Sequence, residues 1–317
     1  MIDFLQYLTS GLALGSVYAL VALGFVVIYR ASEIFNFAHG ELITLGGLLM
    51  IWMTAPPIDP TAPVGLGAAQ ISGLGLNWWL SLILTTVLVG GVAALVERFA
   101  LRPLVGRPVF VPIIITLFVG FLLRTIMLLV WGAASLSLDT PWDPMSVLNL
   151  GGVIIQYNAL SVVSASIIVL VLFFMILRYS KLGVAMRATA TDQETSMALG
   201  IPVGRVFGIT WFIAGAFAAL GGIFIGIRDP SIDASTTGLI AFQAFPAVIL
   251  GGLESPVGAV VAGLLLGVLE VLTQAYLNDT FGEMSKNFHV VLPYIVMILV
   301  LIVRPYGLFG KKKVERL

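Results

Sequence analysis

Three polar residues with chemically useful side chains, Asn36, His39 and Glu41, lie close together in the otherwise apolar stretch IFNFAHGEL. An amide, an imidazole and a carboxylate at this spacing could ligate a metal ion or transfer a proton. The chain has only one other histidine, His289, which is distant in sequence, and metal sites usually need more ligands of these types. We therefore expect a polar cap where the chain enters an apolar segment, rather than a catalytic or metal centre.

A charged residue, Arg124, lies inside the apolar run ITLFVGFLLRTIMLLVW. A buried arginine costs about 2.5–3.5 kcal/mol on membrane-insertion scales, so its side chain should face protein or water. Glu97, Glu270 and Gln243 are the candidate partners. The alternative is that the side chain extends along its helix towards the interface near Trp131.

Glu270 lies in GLLLGVLEVLTQAYL, and Gln274 follows one helical turn later. A polar stripe of this kind fits either a solute path or hydrogen bonds between helices. The polar residues of the apolar segments together form our candidate set for a solute pathway or gate: Asn36, His39, Glu41, Arg124, Gln243 and Glu270.

The stretch Tyr179–Val206 is too polar to lie in lipid, although long apolar segments flank it. Thr191 and Glu194 have the spacing of a capping box, in which each side chain accepts from a backbone N–H of the first turn. Gly200 suits the position after a helix end, and Pro202 prevents continuation. The pattern predicts a short helix over Thr191–Leu199, about 12 Å long, which suits either an ordinary aqueous loop or a contact point for another protein.

The composition indicates an integral membrane protein. Of 317 residues, 59% are hydrophobic and only 10% are charged, against about 25% charged residues in soluble domains. The chain has no cysteine, which excludes disulfides and thiol catalysis, and its formal net charge is zero, which gives no indication of a nucleic-acid partner. We expect no cofactor on this chain.

Apolar runs of spanning length predict an all-α, polytopic transmembrane bundle of about nine segments (eight to ten), formed by residues 1–317 as a single transmembrane domain. Two of the nine, Leu42–Ala55 and Leu239–Leu253, are short and could be tilted spans or re-entrant half-spans. Paired interrupted segments of this kind point to a substrate path in transporters. The other seven segments are predicted at 7–29, 76–97, 109–131, 159–178, 206–227, 256–277 and 288–304.

The positive charges orient this bundle. With nine crossings, Lys and Arg concentrate on one side, including Arg98, Arg102 and Arg107 in one loop and the basic tail Lys311–Lys313. Because cytoplasmic loops carry the excess of Lys and Arg, we expect a cytoplasmic C-terminus, an outside N-terminus and a cytoplasmic Tyr179–Val206. Glycine pairs at four-residue spacing, such as Gly11 with Gly15 and Gly263 with Gly267, favour close helix packing.

Several stretches together resemble one family, and the similarity runs nearly end to end. GLALGSVYALVALGFVVIY followed by FNFAHGELITLGG, then LGVAMRATATDQETSMALGIPVGRV, AFPAVILGGLESPVGAVVAGLLLGVLE and RPYGLFG, are similar to LivH-type permeases of branched-chain amino-acid ABC importers. The chain departs from the family pattern at Arg30–Glu33, where the turn carries Arg-Ala-Ser-Glu.

The resemblance implies a bacterial-type inner-membrane permease that works by alternating access. It implies a sister permease subunit, two cytoplasmic ATPase subunits that bind ATP and Mg²⁺, and an extracytoplasmic substrate-binding protein. It also implies an ATPase-coupling role for part of the segment 179–206, at Gly183, Met186, Arg187, Ala188, Asp192, Glu194, Ala198 and Gly200. Related permeases carry urea, amides or aromatic acids, so these solutes remain open, as does a stand-alone secondary carrier.

No sequence motif points to nucleotide hydrolysis by this chain itself. No GxxxxGK[ST] phosphate loop is present, and neither HExxH nor GxSxG occurs. We therefore predict a transport subunit rather than an enzyme.

Overall fold

The computed structural model describes residues 2–57, 72–104, 107–108, 110–277 and 288–310. The described part contains eleven α-helices and one β-hairpin. The helices are α1 (Ile2–Ser32), α2 (His39–Thr54), α3 (Trp78–Val96), α4 (Phe110–Trp131), α5 (Tyr157–Tyr179), α6 (Lys181–Thr191), α7 (Gln193–Ala198), α8 (Val203–Arg228), α9 (Ile240–Gly251), α10 (Pro256–Leu277) and α11 (Phe288–Val303). Residues 58–71 and 278–287, which fall between predicted segments, and the basic tail Lys311–Lys313 with Arg316 lie outside the described residues.

Six of these helices are long and apolar enough to cross a membrane: α1, α3 with its continuation to Leu104, α4, α5, α8 and α10. Helices α2, α9 and α11 are also apolar, but they have only 16, 12 and 16 residues. At 1.5 Å per residue they extend about 18–24 Å, short of the roughly 30 Å hydrocarbon core. The prediction of an all-α membrane bundle with about nine segments is confirmed, and α11 is short in addition to the two segments predicted to be so.

An additional element, the hairpin of β1 (Val147–Leu150) and β2 (Val153–Gln156), lies between α4 and α5. The two residues between the strands, Gly151 and Gly152, have φ of 62° and 96°. Two-residue hairpin turns require this left-handed backbone, which glycine adopts at little cost. The signal for this hairpin is therefore present in NLGGVII, between the predicted segments 109–131 and 159–178.

The chain divides into two compact units. The first comprises Met1–Glu33, Pro144–Val206 and Ala241–Leu317, and the second comprises Ile34–Asp143 and Phe207–Ile240. That residues 1–317 act as a single transmembrane domain stays a prediction.

Helix α1 forms the centre of the first unit. Its residues 13–28 are all buried, as expected of a helix that is apolar on every side. It packs against α10 at glycines of both helices: a methyl group built on Gly15 would lie 2.8 Å from the Cα and carbonyl oxygen of Leu264, and one on Gly263 would lie 2.6 Å from the backbone nitrogen of Ala19. The glycine pairs therefore allow the two backbones to approach closely.

Helix α2 is the corresponding central helix of the second unit, where 13 of its 16 residues are buried. It packs against α8, because Gly222 of α8 leaves room for the carbonyl oxygen of Ile43. It also meets α3, where the Thr85 hydroxyl lies 3.4 Å from the Met53 sulfur. A short helix can remain at membrane depth in this way because other protein segments surround it.

We predict that Gly15→Ala lowers the thermal stability of the purified protein, because the added methyl group forces the α1 and α10 backbones apart. Gly91→Ala is the matched control: it lies inside α3, and its added methyl group would meet no described atom within 4 Å. Alanine is favoured over glycine in helices by about 1 kcal/mol, so the control should melt at the same or a higher temperature. Equal melting of both variants, followed as loss of monodisperse protein on heating, would contradict the packing argument.

Candidate functional site

The start of α2 is built by an asparagine turn. Asn36 accepts a hydrogen bond from the Ala38 N–H through Oδ1 at 3.0 Å, and its carbonyl accepts from the His39 N–H at 3.2 Å. Asparagine commonly bonds its own backbone two residues on. The N-cap residue, Ala38, has no side chain that could accept a hydrogen bond from the first turn of the helix. Backbone N–H groups of that turn therefore stay available as donors.

This turn lies at membrane depth against α4. The Phe37 N–H donates to the Thr116 hydroxyl at 3.3 Å, and the same hydroxyl lies 3.4 Å from the Phe35 carbonyl oxygen. Thr116 follows Phe110, the first residue of α4, by about 9 Å of helix at 1.5 Å per residue. Helix α2 therefore starts part-way across the bilayer, where its non-helical approach needs protein partners such as Thr116.

An ion pair joins this start to α4. The Arg124 guanidinium contacts a Glu41 carboxylate oxygen at 2.8 Å, and the two side chains are 31% and 11% exposed. The predicted partners of Arg124 were wrong. Glu97 instead binds Arg102 at 2.9 Å, where a π-helical turn brings the two together. Gln243 and Glu270 instead lie beside the Tyr18 hydroxyl.

The alternative that Arg124 extends towards the interface near Trp131 is also wrong, because its guanidinium binds Glu41. Helices α2 and α4 run alongside each other here, so residues far apart in sequence become neighbours. A single sequence gives no signal for this pairing.

Three buried polar atoms at this site have no hydrogen-bond partner in the described structure: Asn36 Nδ2, Glu41 Oε2 and Arg124 Nε. One is an acceptor and two are donors, so the site can bind a small polar group or water. His39 is fully buried beside them. No cluster of three His, Asp or Glu side chains suited to a metal ion occurs among the described residues, so the geometry gives no support to the metal-site alternative.

A second polar group lies in the first unit. The Tyr18 hydroxyl, fully buried in α1, donates to Glu270 of α10 at 2.7 Å and lies 3.5 Å from the Gln243 side-chain oxygen. The structure thus brings Gln243 and Glu270 together with Tyr18, which the sequence analysis did not include among the candidate residues. The available signal was a tyrosine in the middle of an apolar segment, away from the interfaces where tyrosine usually lies.

The segment predicted to couple to ATPases folds as two helices. Ser180 caps α6 by accepting from the Gly183 N–H at 3.0 Å, and Asp192 caps α7 by accepting from the Thr195 N–H at 2.9 Å. The Thr195 hydroxyl also donates to Asp192 at 2.7 Å. These hydrogen bonds from Thr195, the side-chain one first, lower the pKa of Asp192 below its usual value.

The predicted capping box is wrong. Thr191 is the last residue of α6, and its hydroxyl donates back to the Arg187 carbonyl at 3.0 Å. Asp192 has extended backbone, with φ −160° and ψ 112°, which makes it the N-cap. The short helix therefore covers Gln193–Ala198 rather than Thr191–Leu199.

The end of α7 follows the prediction. Gly200 has φ of 81°, its N–H donates to the Met197 carbonyl at 3.0 Å, and the Ile201 N–H donates to the Ser196 carbonyl at 3.0 Å. These two bonds are the usual glycine-terminated helix end. Pro202 then precedes the first residue of α8.

The α6–α7 segment is bonded to the ends of two apolar helices of the same unit. The Gln193 side chain donates to the Ala31 carbonyl of α1 at 3.2 Å. The Arg187 guanidinium donates to the Leu177 carbonyl of α5, and Gly183 leaves no room for a side chain against that same carbonyl. Movement of this segment would therefore act directly on α1 and α5.

Burial divides the eight predicted coupling residues. Gly183 and Met186 are buried against the bundle, and Arg187 and Ala188 are half-buried. The remaining four form an exposed surface on and beside α7: Asp192, Glu194, Ala198 and Gly200. The same segment exposes Met197 and Leu199, at 56% and 76%, so it presents an apolar as well as a charged surface.

We predict that breaking the Glu41–Arg124 pair destabilises the protein more than removing both charges. Removing one partner of a fully buried pair costs about 3–5 kcal/mol, and we expect the lower end because Arg124 keeps partial exposure. Thermal midpoints of Glu41→Gln, Arg124→Gln and the double variant form a double-mutant cycle. The exposed Arg228→Gln serves as control, and additive effects of the two single changes would show that the pair is not coupled.

Comparison of the sequence with known proteins identifies the family. Residues 7–301 match the family described as branched-chain amino acid transport system / permease component. The chain is 30% identical over 320 residues to the high-affinity branched-chain amino acid transport system permease protein LivH of Salmonella typhimurium, covering 99% of this chain and 97% of that protein. No solved structure matches the chain.

Two further relatives also match over nearly the whole of both chains. The permease protein BraD of Pseudomonas aeruginosa is 31% identical over 316 residues, covering 99% of this chain and 98% of its own length. LivH of Escherichia coli K12 is 29% identical over 320 residues, covering 99% and 97%. The chain is a multi-pass membrane transport subunit, and it belongs to the family of permease components of branched-chain amino acid transport systems.

Proposed function

We propose that this chain is the permease subunit of an ATP-driven importer for branched-chain or related amino acids. It forms part of the solute pathway and couples to cytoplasmic ATPase subunits through α6 and α7. It functions in the inner membrane with its N-terminus outside and its C-terminus in the cytoplasm. A substrate-binding protein delivers the solute, and a sister permease subunit completes the pathway.

The α6–α7 segment is the observation that carries this proposal. It is a pair of short capped helices whose outer surface is exposed, while its inner surface bonds to the ends of α1 and α5. A loop that only connected two spans would need no such attachment. A segment that receives force from a motor protein needs both an exposed contact surface and a rigid connection to the bundle.

The connection continues from α1 to α10. Because the glycine contacts bring these two helices into backbone contact, a displacement of α1 moves α10 with it. The Tyr18–Glu270 hydrogen bond lies on this pair of helices, and Gln243 of α9 lies beside it. Nucleotide-driven movement of α6 and α7 would thus reach polar groups suited to line a solute path.

The polar start of α2 is a second candidate for a solute-binding region. Asn36, Glu41 and Arg124 converge there beside the buried His39, and Asn36 Nδ2, Glu41 Oε2 and Arg124 Nε have no partner in the described structure. A polar solute such as an amino acid needs groups of this kind when it crosses the bilayer. The related solutes urea, amides and aromatic acids would find the same donors and acceptors, so they remain the alternative substrates.

The first test is reconstitution. We predict that vesicles containing this chain alone take up no leucine, because the chain carries no nucleotide-binding motif. Vesicles containing the sister permease, the ATPases, the binding protein and internal ATP should accumulate leucine against its gradient. Uptake by this chain alone would instead support a stand-alone carrier, and uptake of urea or amides but not leucine would change the assigned solute.

The second test addresses coupling. We predict that Glu194→Lys and Arg187→Glu lower solute-stimulated ATP hydrolysis and uptake by about 5- to 150-fold, the usual range of a coupling free energy between sites. Glu194 lies on the exposed surface of α7, and Arg187 holds α6 to α5. Membrane insertion and the amount of assembled protein should stay unchanged.

Asp229→Lys is the matched control, because it reverses an exposed acidic charge beyond the end of α8, away from the α6–α7 segment. It should leave uptake normal. Normal uptake in Glu194→Lys, Arg187→Glu and the combined variant would refute the coupling role of this segment while leaving the transport assignment intact.

A further inference from the structure

A small cleft lies where α6 packs against the ends of α1 and α5. Arg30 of α1 and Arg187 of α6 both line it, and both are half-buried. The remaining wall is apolar, with Val27, Phe173, Leu177 and Met186 among its residues. None of the predicted pathway residues lines this cleft, and of the predicted coupling residues only Met186 and Arg187 do.

The charges of the cleft are unbalanced. Arg187 repels Arg30, and the carboxylate of Glu254 attracts it, but Glu254 is exposed and does not approach Arg30 within ion-pair distance in the described structure. The Arg187 guanidinium already donates to the Leu177 carbonyl, yet a carbonyl leaves its charge uncompensated. Two half-buried guanidinium groups that share one cleft favour an anion between them.

The surroundings identify the kind of anion. On the neighbouring face of α5, Leu172, Met175 and Ile176 are exposed by 50%, 46% and 46%, as expected of a helix that faces lipid. An acyl chain can lie along this face while a phosphate lies between the two arginines. Basic pockets between membrane helices on the cytoplasmic side bind anionic lipid headgroups in this way.

We propose that this cleft binds the phosphate of an anionic phospholipid from the cytoplasmic leaflet. The inference rests on the orientation given under the proposed function, which puts the ends of α1 and α5 at the cytoplasmic surface. Arg30 and Arg187 bind the phosphate at the mouth of the cleft, and the exposed Leu172, Met175 and Ile176 of α5 contact the acyl chain.

A bound lipid would strengthen the connection used for coupling. Arg30 belongs to α1 and Arg187 to α6, so a phosphate between them adds a bridge next to the Gln193–Ala31 hydrogen bond. Solute-stimulated ATP hydrolysis by the complete importer should therefore be faster in membranes that contain anionic lipid than in neutral membranes.

The test measures lipid bound to the assembled importer, purified from membranes of equal phosphatidylglycerol and phosphatidylcholine content. Native mass spectrometry and phosphorus analysis after delipidation give the retained lipids. We expect Arg30→Gln to lower the preference for phosphatidylglycerol about fivefold, the factor that one arginine near an anionic surface contributes. Arg30→Lys should keep most of the preference, and Arg228→Gln, an exposed arginine at the end of α8 and outside the cleft, should keep all of it.

Two results would overturn the proposal. One is an unchanged lipid preference in Arg30→Gln. The other is stabilisation of the detergent-purified protein by inorganic phosphate that equals the effect of phosphatidylglycerol and is lost in Arg30→Gln, which would identify a soluble anion as the ligand. Lipid retention is measured without transport, so its failure leaves the proposed function standing, and a failure of leucine uptake leaves the lipid result unaffected.

Discussion

The lipid bilayer requires every backbone N–H and C=O at membrane depth to find a partner within the protein, and this structure follows from that requirement. Continuous helices satisfy it in six long segments. The chain is not helical between α1 and α2, and there the Asn36 side chain and the Thr116 hydroxyl accept hydrogen bonds from backbone N–H groups. Short helices such as α2 are tolerated because other segments surround them, and polar side chains collect at their ends for the same reason.

The bilayer also favours helices whose backbones approach one another closely. Between helices in lipid no hydrophobic effect drives association, so packing has to supply it. In α1 and α10 the glycines bring the two backbones together, and Gly222 does the same for α8 against α2. These contacts make each compact unit stiff, which is what a transporter needs if a movement at one surface is to reach polar groups inside the bundle.

The α6–α7 segment shows how aqueous and membrane-embedded parts are joined. Its caps come from its own sequence, at Ser180 and Asp192, while its attachment comes from Gln193 and Arg187 bonding to carbonyls at the ends of α1 and α5. Those carbonyls are available because the last turn of a helix has no intrahelical donors for them. The ends of the membrane helices therefore serve as attachment points for the segment that we assign to coupling.

The sequence by itself determined the membrane class, the positions of the segments and the two short helices, because apolar length is a local property of the chain. It also determined the end of α7, since Gly200 is one of the few residues that adopts a left-handed backbone at low cost. The capping box was misread because Thr191 and Asp192 are both good caps, and only the fold of α6 decided between them. The partner of Arg124, the Tyr18–Glu270 bond and the cleft between Arg30 and Arg187 were decided by tertiary structure alone, because each joins helices whose relative position no local pattern encodes.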